Sequence, residues 1–151
     1  MKPLIFLSFF PVLLLHAPVA DHATGEQSIL LRAFTTGFTP ELAKEAIDYY
    51  ITENEVAFAQ AKLETGNFTS VVFKHNHNMF GMRHPRVRQT CSLGNMGYYA
   101  CYDHWIYSVW DYELLYQYYV SSGKDFEYIL KVYCPDMDFS INHHLPCRNR
   151  N

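Results

Sequence analysis

The 151-residue chain has no acidic residue between Glu64 and Asp103, a stretch that holds Lys74, Arg83, Arg86, Arg88 and three histidines. The middle of the chain is therefore locally cationic, although the formal net charge is −3. A negative total argues against nucleic acid as a partner, because binding a phosphate backbone rests on excess Lys and Arg. Cysteine is scarce, with four residues and no C-x-x-C pair, and the eight histidines offer no H-x-x-x-H spacing. Neither metal nor cofactor is expected on that pattern. There is no internal repeat, no low-complexity tract and no long apolar run after the first twenty residues. What is abundant is aromatic bulk: twelve Tyr and eleven Phe bring the aromatic share to 17%, which excludes disordered and fibrous classes and predicts one packed domain.

The first twenty residues read as an export signal. Met1 and Lys2 form a short positive start, residues 3–15 are apolar except Ser8, and the small residues Ala17 and Ala20 offer cleavage points. The run is shorter than the ~20 residues that span a bilayer, and Pro3 and Pro11 interrupt it. The pattern predicts a periplasmic or extracellular chain without stable membrane insertion once the signal is removed. In such a compartment an even cysteine count predicts disulfides. Cys91, Cys101, Cys134 and Cys147 allow three pairings. The sequence-local pairs 91–101 and 134–147 would each close a short loop worth about 3 kcal/mol in the chain-entropy model. His75, His77, His84 and His104 read as part of a polar loop region.

Residues 21–38 form a linker and an N-terminal docking helix, apolar over 27–34 and ended by Gly37. Thr39 before Pro40 is a helix start, since Thr caps free amides and Pro fits the first helical position; this helix runs to about Tyr50. Thr52 and Glu55 predict a capping box that opens a second helix, continuing to Glu64 and stopped by Gly66. Residues 82–99, with Pro85, Gly94, Asn95 and Gly97, suit an irregular β-hairpin stapled by Cys91 and Cys101. Trp105, Val109, Tyr112, Leu115 or Tyr116, and Tyr119 recur at helical spacing up to Gly123, and Asp125 caps a last helix through Tyr133. Residues 39–139 are thus the main domain, followed by a tail over 140–151 tied by a disulfide.

Glu64 stands out on physics alone. On a helix it shares a face with Ala57, Gln60 and Ala61, a small-residue stripe suited to close packing, so its carboxyl emerges at the edge of the core. It also lies in the last turn, at the negative end of the helix dipole. Burial and dipole both disfavour the carboxylate, as a general acid for a sugar leaving group requires, while the nearby cations act in the opposite direction.

Four ordered pieces surround it: Gln60-Ala61-x-Leu63-Glu64-Thr65-Gly66-x-Phe68, Asn78-Met79-Phe80-Gly81-Met82, Pro85-Arg86-x-Arg88-x-Thr90, and Ala100-x-Tyr102-x-x-Trp105-x-x-Ser108-Val109-x-Asp111-Tyr112. With the closing Tyr133-x-x-Asp136-x-Asp138-Phe139, this order resembles the bacterial cell-wall glucosaminidase family, also described as mannosyl-glycoprotein endo-β-N-acetylglucosaminidase-like, which includes flagellum-associated peptidoglycan hydrolases. The resemblance implies a mostly helical α+β fold of lysozyme-like type with a small hairpin lobe. It implies hydrolysis of the β-1,4 bond following N-acetylglucosamine in peptidoglycan strands, with Glu64 as proton donor and Tyr102 in the cleft opposite it. Asn78 and Phe80 match the turn beneath the sugar groove, Asn78 to bond an acetamido group and Phe80 to pack the floor. Where the family commonly has two asparagines, this chain has His77 and Asn78.

The second carboxylate usual in glycosidases is missing from the hairpin lobe. Asp103 and Asp111 are nearest in sequence, with Asp111 expected to cap or support its helix. The remaining routes are an acid from elsewhere, the substrate's own N-acetyl group, or stabilisation by Tyr102 and backbone dipoles. Arg86 and Arg88 then read as substrate-binding residues for the lactyl and peptide carboxylates of peptidoglycan. The competing functions are a non-catalytic wall-binding or assembly module, a wall amidase, and a metal-dependent hydrolase using the histidines. No pattern in the chain specifies an oligomer.

Overall fold

The computed structural model describes residues 20–133. Its elements run α1 (Ala20–Thr36), α2 (Pro40–Tyr50), α3 (Asn54–Glu64), α4 (Val71–Asn76), β1 (Gly94–Met96), β2 (Tyr99–Cys101), α5 (Trp105–Ser121) and α6 (Phe126–Tyr133). The two strands pair antiparallel, with Asn95 opposite Ala100, so the described residues form the expected helical α+β fold with a small hairpin. Residues 1–19, with most of the expected export signal, and 134–151, with Cys134, Cys147 and the expected tail bridge, lie outside the described residues.

Local chemistry accounts for most boundaries. Thr39 is extended and its Oγ1 accepts the Leu42 amide at 3.1 Å, with Pro40 in the first helical position. Leu42, Ala43, Ala46 and Ile47 then turn one face of α2 into the core. His104 caps α5 by accepting the Ile106 amide on Nδ1 at 3.3 Å, and Asp125 caps α6 by accepting the Tyr128 amide at 2.8 Å. The docking helix begins earlier than the apolar run at 27–34 predicts. Ile29 and Ala33 are buried one turn apart, and a Cβ on Gly25 would stand 3.4 Å from the Tyr49 ring, so a bare backbone lets an earlier turn of α1 lie close to α2. Phe38, in the α1–α2 connection, gathers the core: its ring lies 5.1 Å from Phe68, 4.7 Å from Phe73 and 5.5 Å from Trp105 between centroids.

Three expectations are corrected. The capping box at Thr52 and Glu55 does not form: α3 starts one residue after Glu53, which makes no side-chain cap. Thr52 instead donates its amide (3.1 Å) and hydroxyl (3.2 Å) to the Glu113 carboxylate of α5, a tertiary partner with two oxygens that a local cap cannot match. The hairpin is shorter than 82–99 suggests, and its staple is absent: Cys91 and Cys101 are both free thiols. Register explains this, because Cys101 pairs with Gly94 and its carbonyl accepts the Leu93 amide, while the Cys91 amide is held by Asp111 instead. The short α4 was not legible in advance, although Ser70 caps it through the Phe73 amide at 3.1 Å.

The chain leaves α3 through three successive left-handed residues, Gly66, Asn67 and Phe68, at φ of 54°, 56° and 64°. For Asn and Phe this backbone costs about 1–2 kcal/mol each. Buried Thr65 offsets the cost by donating its hydroxyl to the Ala61 carbonyl at 2.6 Å and accepting the Phe68 amide at 2.8 Å. The helix is thereby stopped at Glu64. Thr65→Val, which keeps the shape and leaves the Phe68 amide without that acceptor, is expected to lower unfolding stability by about 1–3 kcal/mol in urea titration. Thr65→Ser, which keeps the hydroxyl, should lose less.

Candidate active site

Glu64 is the last residue of α3, and the stripe it shares with Ala57, Gln60 and Ala61 is buried. Glu64 itself is half-buried, and that burial pushes its carboxyl above the usual carboxylate range. The facing wall is the Asn78–Met82 turn. Asn78 is fully buried; its Nδ2 donates to the carbonyls of Met82 (2.8 Å) and Ala100 (2.9 Å), and its Oδ1 accepts the amides of Phe80 and Met82 at 3.3 and 3.1 Å. Both amide hydrogens are spent inside the fold, one on the turn and one on β2, so Asn78 shapes the wall and offers none to an acetamido group. His77, where the resemblance anticipates asparagine, takes the left-handed backbone at φ 52° and donates Nδ1–H to the Tyr102 carbonyl at 3.0 Å.

The turn brings Gly81 against the acid. Gly81 has φ +63°, and a Cβ placed there would lie 3.0 Å from Glu64 Oε2 and 4.0 Å from Tyr99 Cε1. The absent side chain is the space the carboxyl occupies. Tyr99, on β2 and partly exposed, is therefore a neighbour of the Glu64–Gly81 contact that sequence reasoning missed. Its signal was strand alternation: Ala100 and Tyr102 point into the core, leaving Tyr99 on the open face. Phe80 lies a layer deeper than a groove floor, fully buried and stacked on Tyr112 with centroids 4.2 Å apart. The Tyr112 hydroxyl donates to Gln60 Oε1 at 2.8 Å.

The other predicted residues gather around Asp111, which is fully buried in α5 and does not cap it. Arg88 donates from both guanidinium nitrogens to the two Asp111 oxygens, at 2.8 and 3.1 Å, with its side chain only 5% exposed. Tyr102 is buried and donates its hydroxyl to Asp111 Oδ2 at 2.7 Å, and the Cys91 amide adds a bond at 3.2 Å. Burial raises the Asp111 pKa, but the hydrogen bonds from Arg88 and Tyr102 and the Arg88 charge outweigh it and hold the carboxyl below its ordinary value. Arg88 and Tyr102 are thus engaged inside the fold, whereas Arg86 is exposed with Arg83 and Lys74. Asn76, also missed, stitches α4 to the hairpin by donating to the Met96 carbonyl at 3.0 Å.

Among the described residues no group of three or more His, Cys, Asp or Glu is placed to hold a metal ion. A separate groove of about 630 Å³ lies between α1 and α2, lined by Ile29, Lys44, Glu45 and Tyr49, and its rim carries the Lys44–Asp48 ion pair.

Residues 39–137 match the model of the Glucosaminidase family, described as mannosyl-glycoprotein endo-beta-N-acetylglucosaminidase. Neither a curated protein nor a solved structure matches the chain.

Two substitutions probe this geometry. Gly81→Ala adds a methyl 3.0 Å from Glu64 Oε2 on a left-handed backbone; it should cost about 1–2 kcal/mol and displace the Glu64 carboxyl, read by denaturation and by the Glu64 Cδ chemical shift. Asp111→Asn leaves Arg88 buried without its counter-charge and should cost about 3–5 kcal/mol. The wild-type contribution of Asp111 is present above the ordinary carboxylate pKa of about 4 and is lost as pH falls through the lower folded value. The variant should lack that acid-side loss in stability measured against pH.

Proposed function

The chain belongs to the mannosyl-glycoprotein endo-beta-N-acetylglucosaminidase family, a glycoside hydrolase type, and on that premise we propose that it cleaves the β-1,4 bond following N-acetylglucosamine in peptidoglycan, with Glu64 as general acid. The observation that carries this is the Glu64 carboxyl, raised by burial at the end of α3 and standing against the bare backbone of Gly81. A carboxyl held above the usual carboxylate range keeps its proton to higher pH and can deliver it to the glycosidic oxygen as the bond to the sugar breaks.

The lobe facing Glu64 carries no carboxylate, and Asp111, the buried acid nearest that lobe, is bound to Arg88 and Tyr102. This favours assistance from the substrate: the acetamido carbonyl oxygen attacks the anomeric carbon as the leaving group departs with the Glu64 proton, and water later opens the ring so formed. Tyr102 then serves the site through Asp111. Exposed Arg86 remains available to the lactyl and peptide carboxylates of the strand. The substrate lies outside the cytoplasm, in keeping with the leader-like pattern of residues 1–20.

Digestion of purified sacculi, followed by mass spectrometry of the released fragments, tests the proposal. Wild type should release new reducing-end N-acetylglucosamine, and folded Glu64→Gln should lose about 10²–10⁴ of that rate. The wild-type rate should fall as pH rises through the raised Glu64 pKa, because only the protonated acid delivers. Sacculus binding without product would instead mark a wall-binding module, and free stem peptides an amidase.

A further inference from the structure

Gln60 lies one turn before Glu64 on the buried face of α3 and is 7% exposed. Its side-chain carbonyl accepts the Tyr112 hydroxyl hydrogen at 2.8 Å, and Tyr112 is itself held by its stack on Phe80. One end of the amide is thus anchored. The other end, Nε2, is buried and has no hydrogen-bond partner among the described residues. An unmet buried donor is costly and rare in native folds, so its persistence calls for an acceptor that arrives.

Helix geometry identifies that acceptor. Side chains on an α-helix lean toward its N-terminus, which lays residue 64 over the turn that carries residue 60. Residues four apart have Cβ atoms about 5–6 Å from each other, within reach for a carboxylate and an amide. The Glu64 charge also acts on the Tyr112 hydroxyl that anchors Gln60, so the three groups share one electrostatic neighbourhood. In the present arrangement the carboxyl stands out against Gly81.

We propose that Gln60 is a positioning residue for the acid: once Glu64 has given up its proton, the carboxylate turns back along α3 and accepts Nε2–H of Gln60. The proposal rests on Glu64 acting as general acid. The Glu64 O–H bond breaks, the proton passes to the glycosidic oxygen, and the electron pair left on the carboxylate meets a donor already aimed by Tyr112. Glu64 then has two stations: against Gly81 to deliver the proton, and on Gln60 while charged. A charge-assisted bond at the second station stabilises the anion inside a half-buried site that otherwise opposes it.

Side-chain NMR of the full chain tests this without substrate. In wild type the Gln60 side-chain amide resonances should move with the same midpoint as Glu64 Cδ, and the movement should vanish in Glu64→Gln. Gln60→Met, similar in length but lacking the donor, should raise the Glu64 midpoint by about one pH unit. It should move the alkaline limb of kcat/KM by the same amount, a correlation that loss of packing does not produce. A Gln60 amide that stays constant through the Glu64 titration overturns the proposal, whether or not the Met variant folds. A coupled titration in a protein that releases nothing from sacculi upholds the Gln60 contact and refutes the general-acid assignment, so the two failures are distinguishable.

Discussion

A single buried carboxylate ties the hairpin lobe to the helical body. The segment from residue 65 to residue 102 has no acid of its own, so any charge-assisted anchor for its cations must come from outside it. Asp111 of α5 supplies that anchor to the Arg88 guanidinium, the Cys91 amide and the Tyr102 hydroxyl together. Removing two charges from water is costly, and only this degree of satisfaction makes a buried pair tolerable. The same pairing sorts the cations of the lobe: Arg88 neutralises Asp111 inside, leaving Arg86 and Arg83 to face outward.

Two carboxylates of one domain are thus driven in opposite directions by their surroundings. Asp111 has the Arg88 counter-charge and hydrogen bonds from Arg88, Tyr102 and Cys91 and stays ionised; Glu64 has burial without such compensation and holds its proton longer. Such divergence is how one fold separates a structural anion from a carboxyl suited to hold a proton. The asparagine turn links the two environments, because Asn78 bonds both to Met82, beside Gly81 at the acid, and to Ala100, two residues before Tyr102 in the anchor.

The sequence carried the helices wherever caps and periodicity are local, as at Thr39, Asp125 and the Trp105 to Tyr112 stripe, and it located Glu64 through the small residues on its face. It misled where a distant partner outbids a local one. Thr52 has the pattern of a capping residue, yet it bonds to Glu113, sixty-one positions away. Arg88 alternates with Arg86 as if both faced solvent, and only the tertiary placement of Asp111 separates them. Asn78 and Tyr102 carry the right chemistry for a sugar contact, but burial directs their polar atoms inward. Gly81 and Tyr99 became visible only once the turn and the hairpin were brought to the end of α3, since a missing side chain gives no signal until something occupies its place.

The anchor fastens the lobe at its root, at positions 88, 91 and 102, while the hairpin tip around Gly97 and Tyr98 projects into solvent. The strand leading to the tip is tied to the body by Asn76, which donates to the Met96 carbonyl at 3.0 Å. A change at the exposed Gly97–Tyr98 turn therefore pulls on the Met96 carbonyl held by Asn76 before it reaches the Asp111 network at the root.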